Sequence, residues 1–335
     1  MYADFITSVE LPSDRIHIDH SHSIMLLGSC FSEHIGQHLL KSKFVCDMNP
    51  MGVLYNPISI AEALHQILDG RLYAVGDSEL IEKDGWHSLM HQSSFSALTQ
   101  EACVANINAR LSVATQFLKR TDILFLTFGS AYVYRWKADG RVVGNCHKLP
   151  ERDFIREKLS CEEIVEAYVS LIHRLELSCP EIKLLFTVSP IRHRKDGMHG
   201  NQVSKATLLL AIERLMEIYP ERCFYFPSYE IVLDELRDYR FYADDMLHPS
   251  EQAVSYIWKR FGECYFSKET RKILEEWEKV RRGLEHRPFN VKSSQYKAFL
   301  SQLVLRMQQL KEKYPNFVME KEIEQCYTLL NKLQN

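Results

Sequence analysis

Five short apolar runs, each followed by a stretch of helical spacing, constrain this chain more than any other feature. Residues 24–27, 44–49, 123–128, 182–188 and 223–226 are bounded by turn-forming or polar residues, as buried strands are. Between them apolar residues recur at three- and four-residue intervals, as in Ile60, Ala63, Leu64 and Ile67 before Gly70, or Ile164, Tyr168, Leu171 and Leu175 after Ser160. Ser160 with Glu163 has the form of a capping box. Further helices are predicted over residues 99–118 and 202–219, with a helical piece over 229–236. Such alternation predicts an α/β fold with a mostly parallel five-stranded sheet. Residues 71–98 read as an insertion. From Ser267 on, charged residues alternate with apolar ones in two or three amphipathic helices, broken near Arg287-Pro288 and Tyr314-Pro315. The expected division is therefore a main domain over 1–265 and a helical extension over 266–335.

Chemistry concentrates at the first strand–helix junction, Gly28-Ser29-Cys30-Phe31-Ser32. Gly28 suits a tight turn, and Ser29 and Cys30 then stand at a helix N-terminus, where unsatisfied N–H groups favour negative charge. Near the other end, Asp245-Met246-Leu247-His248 precedes the closing helix. The first block resembles the signature of the GSCFA family, a branch of the SGNH (GDSL-like) hydrolase group. The second resembles that group's Asp-x-x-His block. The likeness spans roughly residues 1–265 and implies a three-layer sandwich of SGNH (flavodoxin-like) type.

What the resemblance implies for the site follows residue by residue. Registered on Gly-Asp-Ser, Cys30 takes the nucleophile's place, with Ser29 the second choice. His248 becomes the general base and Asp245 its orienter, and a thiol so placed is expected to have a lowered pKa. Gly52, after the second strand, matches the glycine that lends an N–H to the oxyanion hole, although it reads equally as a turn residue. Asn56 is a candidate donor or a simple Asx-turn residue. Where the group has Gly-x-Asn, this chain has Gly129-Ser130-Ala131, which leaves the third donor to Asn56, Asn145 or the Ser130 hydroxyl.

Other motifs bear on substrate. Trp86-His87-Ser88 and His91-Gln92-Ser93-Ser94-Phe95 suit sugar recognition, or else form an irregular segment pinned by the indole of Trp86. In Asn145-Cys146-His147-Lys148, adjacent residues on an extended segment face opposite ways, so Cys146 and His147 do not pair catalytically, and Asn145 or His147 faces the pocket. The loop carrying Arg192, His193 and Asn201 is the densest basic patch. It reads as an anion site at a strand's carboxyl end or as a solvated lid. His17, His20 and His22 read as a polar lead-in, and neither metal nor cofactor is expected.

A net charge of −3 gives no case for nucleic acid, and no apolar run approaches a membrane span. Nine cysteines without CxxC spacing, and an opening Met1-Tyr2-Ala3-Asp4-Phe5 without a basic start or apolar core, set the expectation of a cytoplasmic protein. The expected function is hydrolysis or transfer of O-acyl groups on a small molecule or glycan, such as a carbohydrate or cell-envelope precursor. The alternative is a non-catalytic binder of an anionic glycan or nucleotide-sugar. Self-association, if any, is expected through the C-terminal helices.

Overall fold

The structure, a computed structural model, describes residues 6–12, 16–315 and 317–333. Residues 1–5, read above for a leader, lie outside them. β1 (Ser23–Gly28) leads into α1 (Cys30–Lys41), then β2 (Val45–Met48) and α2 (Pro57–Asp69). A small hairpin, β3 (Leu80–Glu82) with β4 (Trp86–Ser88), fills the expected insertion. α3 (Gln100–Leu118) precedes β5 (Ile123–Phe128), and a second hairpin of β6 (Tyr132–Trp136) and β7 (Phe154–Lys158) follows. α4 (Cys161–Ser178), β8 (Lys183–Val188), α5 (Gly197–Ile218) and β9 (Cys223–Phe226) continue the alternation. The short α6 (Ser228–Glu230) runs into a π-helical turn, and α7 (Glu251–Tyr265) closes the α/β unit.

The main sheet has the order β2-β1-β5-β8-β9, with every pair parallel. Side-chain alternation splits it between two cores. Met25, Leu27, Leu124, Leu126 and Phe128 face α2, α3, α4 and α5, whereas Ile24, Leu26, Ile123 and Phe125 face α1 and α7. The result is the expected three-layer sandwich. Capping sets the helix starts: Ser160 and Glu163 form the predicted reciprocal pair, and Asn56, Thr99 and Ser250 cap α2, α3 and α7.

Gly28 closes β1 with φ +144°, and a Cβ there would lie 2.2 Å from the Thr127 carbonyl oxygen. No L side chain fits that approach, so the junction needs glycine.

α8 (Lys268–Leu284), α9 (Ser294–Lys313) and α10 (Glu320–Lys332) build a core of their own around Trp277, Met307 and Phe317. They dock on the end of α1: Trp277 Nε1 donates to the Lys41 carbonyl at 2.8 Å, and Lys43 pairs with Glu322. Among the described residues no helix is long and apolar enough to cross a membrane.

Candidate active site

Registered parallel strands bring the loops after β1, β5 and β8 to one edge, where open α/β sheets present their ligand sites. Ser29 is the N-cap of α1, buried, its hydroxyl accepting the Phe31 N–H at 3.3 Å. That employment fixes it as a cap. Cys30 is the first residue of α1 and half-buried. Its thiol is pushed up rather than down. Burial is the main cause and Glu33 adds to it, against the opposing pull of the Cys30 and Phe31 N–H groups and of Lys205. The helix terminus favours the thiolate, as the sequence predicts, but desolvation outweighs it.

His248 ends a tight loop in which Met246 is held at φ +59° and Ala243 N–H donates to the His248 carbonyl at 2.8 Å. Asp245 Oδ1 accepts the N–H groups of Leu247 and His248 at 2.9 and 3.0 Å, and Oδ2 meets His248 Nδ1 at 2.5 Å. Those backbone donors, then the imidazole, draw the Asp245 carboxyl down to about 2. An ionised carboxylate accepts only, so Nδ1 carries the proton and Nε2 is left free to act as base. Both side chains stay about half exposed, at 45% and 44%.

Cys30 and His248 line one cavity of about 840 Å³, together with Ser29, Asn56, Ser130, Asn145, Arg192 and His193. Most of the expected oxyanion donors are spent elsewhere. Gly52 N–H closes a turn onto the Asn49 carbonyl at 2.7 Å. The N–H groups of Gly129 and Ser130 both donate to the Tyr55 carbonyl, at 2.8 and 2.9 Å. The Ser130 hydroxyl accepts from Tyr132 N–H at 3.0 Å. Asn56 caps α2 through Oδ1 and gives one amide hydrogen to Ser59 Oγ at 2.9 Å, keeping the other. Asn145 fixes its Oδ1 on His147 N–H at 2.9 Å, and its Nδ2 has no acceptor among the described residues. The Cys30 N–H is one of the first-turn donors that a helix leaves without an internal acceptor. Cys30 N–H, Asn145 Nδ2 and the second Asn56 amide hydrogen are thus donors the site has to offer.

Of the expected sugar loop, Gln92 and Ser93 line the cavity, whereas Trp86 and His87 do not. Trp86 pairs with Ala97 in the hairpin, and His87 spends its ring nitrogens on Ser96 Oγ at 2.6 Å and the Lys83 carbonyl at 2.8 Å. His147 is buried against His87 and bonds the Ser88 carbonyl at 2.7 Å. Asn201 is buried and accepts the His193 N–H at 2.9 Å. Arg192 lines the cavity but turns to the base loop: Nη2 donates to the Met246 carbonyl at 2.6 Å while the guanidinium stacks 4.2 Å from the Tyr242 ring. Of that basic loop, His193 stays in the cavity beside Tyr55, brought down to about 4 by burial and then by the charge of Lys205. The early histidines are structural: His20 stacks on Phe44 and His22 bonds Asp19. Among the described residues no group of three or more His, Cys, Asp or Glu could hold a metal ion.

Two features escape sequence reasoning. The β6–β7 hairpin supplies a wall where Arg156 lies 4.2 Å from the Tyr132 ring and pairs with Asp196. Its signal was the alternation in Tyr132-Val133-Tyr134-Arg135-Trp136. Beneath the cavity Lys205, 1% exposed, donates to the carbonyls of Gly129 at 2.7 Å and Ser189 at 2.6 Å, tying the ends of β5 and β8. Burial brings its ammonium down to about 7, the nearness of Cys30 opposing, and it has no carboxylate partner among the described residues. The clue was a lysine on the same helical face as Leu208 and Ile212.

The GSCFA family model matches residues 23–261, and a model of the GSCFA domain protein's C-terminal domain matches 277–332. No curated protein matches. Among solved structures, a protein from Streptococcus pneumonia carrying a platelet-activating-factor designation is 11% identical, with a TM-score of 0.36 over 72% of this chain and 83% of that one. A carbohydrate esterase family 3 protein from Talaromyces cellulolyticus is 10% identical, with a TM-score of 0.35 over 76% of this chain and 99% of that one. Likenesses this remote carry no functional weight.

Proposed function

We propose, from the premise that the chain belongs to the GSCFA family, that it is an SGNH-type hydrolase or acyltransferase acting on O-acyl esters through Cys30, His248 and Asp245. The carrying observation is that the thiol and an imidazole already clamped by a carboxylate line one cavity. Because burial keeps the thiol protonated at rest, the base must remove its proton as attack occurs. Cys30 Sγ adds to the ester carbonyl while His248 Nε2 takes the thiol proton. Cys30 N–H and Asn145 Nδ2 receive the oxyanion. Collapse breaks the carbon–oxygen bond, and the alkoxide leaves with the proton from His248. The thioester is then attacked by water or a second alcohol, deprotonated by His248. Its collapse releases an acid or a new ester, and the proton returns to the sulfur. Asp245 holds the ring throughout.

The test is turnover of short-chain acyl esters and thioesters by the wild type, Cys30→Ala, His248→Ala and Ser29→Ala. Cys30→Ala and His248→Ala are expected to lose about a thousandfold or more. Ser29→Ala is expected to keep its chemistry and lose about 1 kcal/mol of stability as a missing cap. Equal turnover in all four proteins refutes the mechanism.

A second reading, a binder of an anionic glycan or nucleotide-sugar, is favoured by the raised thiol and by the spent N–H groups of Gly129 and Ser130. Iodoacetamide separates the two. Alkylation of Cys30 that slows in His248→Ala supports the enzyme, and equal rates support the binder. A cytoplasmic setting belongs to the same proposal, supported by nine cysteines of which none is in a disulfide among the described residues.

A further inference from the structure

The first turn of α1 has cavities on both sides. Opposite the one already described lies a second, about 510 Å³, bounded by Asn49, Gly52, Gln37 and Phe95. Glu33 and Gln92 line both, so the two adjoin at Glu33, three residues along the helix from Cys30. A substrate reacting at the sulfur can therefore extend to either side of this helix end.

Asn49 is the built element of the second cavity. It is only 8% exposed, and its Oδ1 accepts the Gly28 N–H at 3.0 Å, fixing the amide plane. Its buried Nδ2 has no partner among the described residues. A buried amide donor without an acceptor is rare enough to call for an occupant. Gln92, which is exposed, also anchors its amide through Oε1, which accepts Val53 N–H at 3.2 Å, and turns an open Nε2 donor to the surface. Gly52 makes room for it, since a Cβ there would lie 2.2 Å from Gln92 Cβ. Glu33 has no ion pair or hydrogen bond among the described residues, so its carboxylate is an unused acceptor between the two cavities. Phe95 adds an aromatic ring, edge-on to His91 at 5.1 Å.

The two cavities differ in charge. The first is lined by Arg156, Arg192, Arg194 and Lys195, and the second has no lysine or arginine. His34, at its edge, is held below its ordinary value by burial. Fixed amide donors, one carboxylate acceptor and an aromatic ring without a cation suit an uncharged polyhydroxylated group and disfavour an anion.

We infer that the alcohol side of the ester is an uncharged, hexose-like sugar held in this second cavity by Asn49, Gln92, Glu33 and Phe95. The inference rests on the ester-cleaving reading for the word alcohol, but the sugar site itself does not.

Two esters with the same acyl group test it: 6-O-acetyl methyl β-D-glucoside and ethyl acetate. Asn49→Asp keeps the acceptor for Gly28 N–H and replaces the free donor, and Phe95→Ala removes the ring without touching that bond. Each variant is expected to lose at least tenfold more kcat/KM on the glucoside than on ethyl acetate. Equal losses on both esters, or none on either, overturn the inference. If the wild type cleaves neither ester, the catalytic reading fails, and saturation-transfer NMR with methyl β-D-glucoside decides the site. Transfer in the wild type that is lost in both variants upholds a sugar site. No transfer to the wild type, or transfer that survives in both variants, overturns it.

Discussion

The two halves of the candidate site are built on opposite plans. The sulfur half is a strand–helix junction with no slack, in which Gly28 lies against the Thr127 carbonyl and Ser29 is consumed as a cap. The imidazole half is a half-exposed loop, kept in shape by one carboxylate and by Arg192 reaching across from the end of β8. The difference separates two tasks. On the proposed mechanism, burial fixes where the nucleophile is and keeps it protonated, whereas the exposed clamp sets which ring nitrogen is free. On that mechanism, neither half is reactive alone.

Combining the single changes breaks this comparison most sharply. If the halves act as one unit, Cys30→Ala with His248→Ala loses no more than either alone, about a thousandfold, because removing one partner already abolishes the step. Steady-state rates on an acetyl ester measure it, and multiplied losses mean that the halves work separately.

Next in size is Asp245→Asn. The buried counterpart in serine proteases costs about ten-thousandfold. Here solvent shares the carboxylate, and a loss of about a hundredfold is expected. The clamp also links to acid stability. With the folded value drawn down to about 2, below an unfolded value near ~3.9, Asp245 contributes above the unfolded value. That contribution is lost as pH falls toward 2, so urea midpoints of wild type and Asp245→Asn should converge there.

Arg192→Ala comes third, with an expected fall of about tenfold in kcat and little change in KM, since the guanidinium positions the loop. Arg192→Lys should restore only part of this, because an ammonium lacks the planar stack on Tyr242. A change confined to KM would return Arg192 to substrate binding.

How much of this was legible in the sequence follows from where each signal lives. Short apolar runs and 3.6-residue helices are local, so the sandwich, the Ser160 cap and the place of Cys30 at the start of a helix were readable from residues alone, whereas His248 and Asp245 entered through the resemblance. What was missed depends on partners far along the chain. Nothing near Gly129 or Ser130 says that the Tyr55 carbonyl will take both N–H groups. The rings of His87 and His147 look free until the fold stacks them on each other. Lys205 reads as one charge among many until α5 turns it inward.

Lys205 gives the smallest effect and sharpens the contrast from below. Its folded value of about 7 lies beneath the unfolded ~10.4, so between these the unfolded chain binds more protons and stability should rise with pH. Urea midpoints from pH 7 to 9 should climb less in Lys205→Met than in the wild type. Parallel curves would show that the buried amine carries no such linkage.

The most direct measurement of the central claim is rapid-quench peptide mass spectrometry after mixing with an acetyl ester. The account predicts one acetyl group on the Cys30 sulfur in the wild type and none in His248→Ala. Acetyl on Ser29, or equal labelling of both proteins, would contradict it.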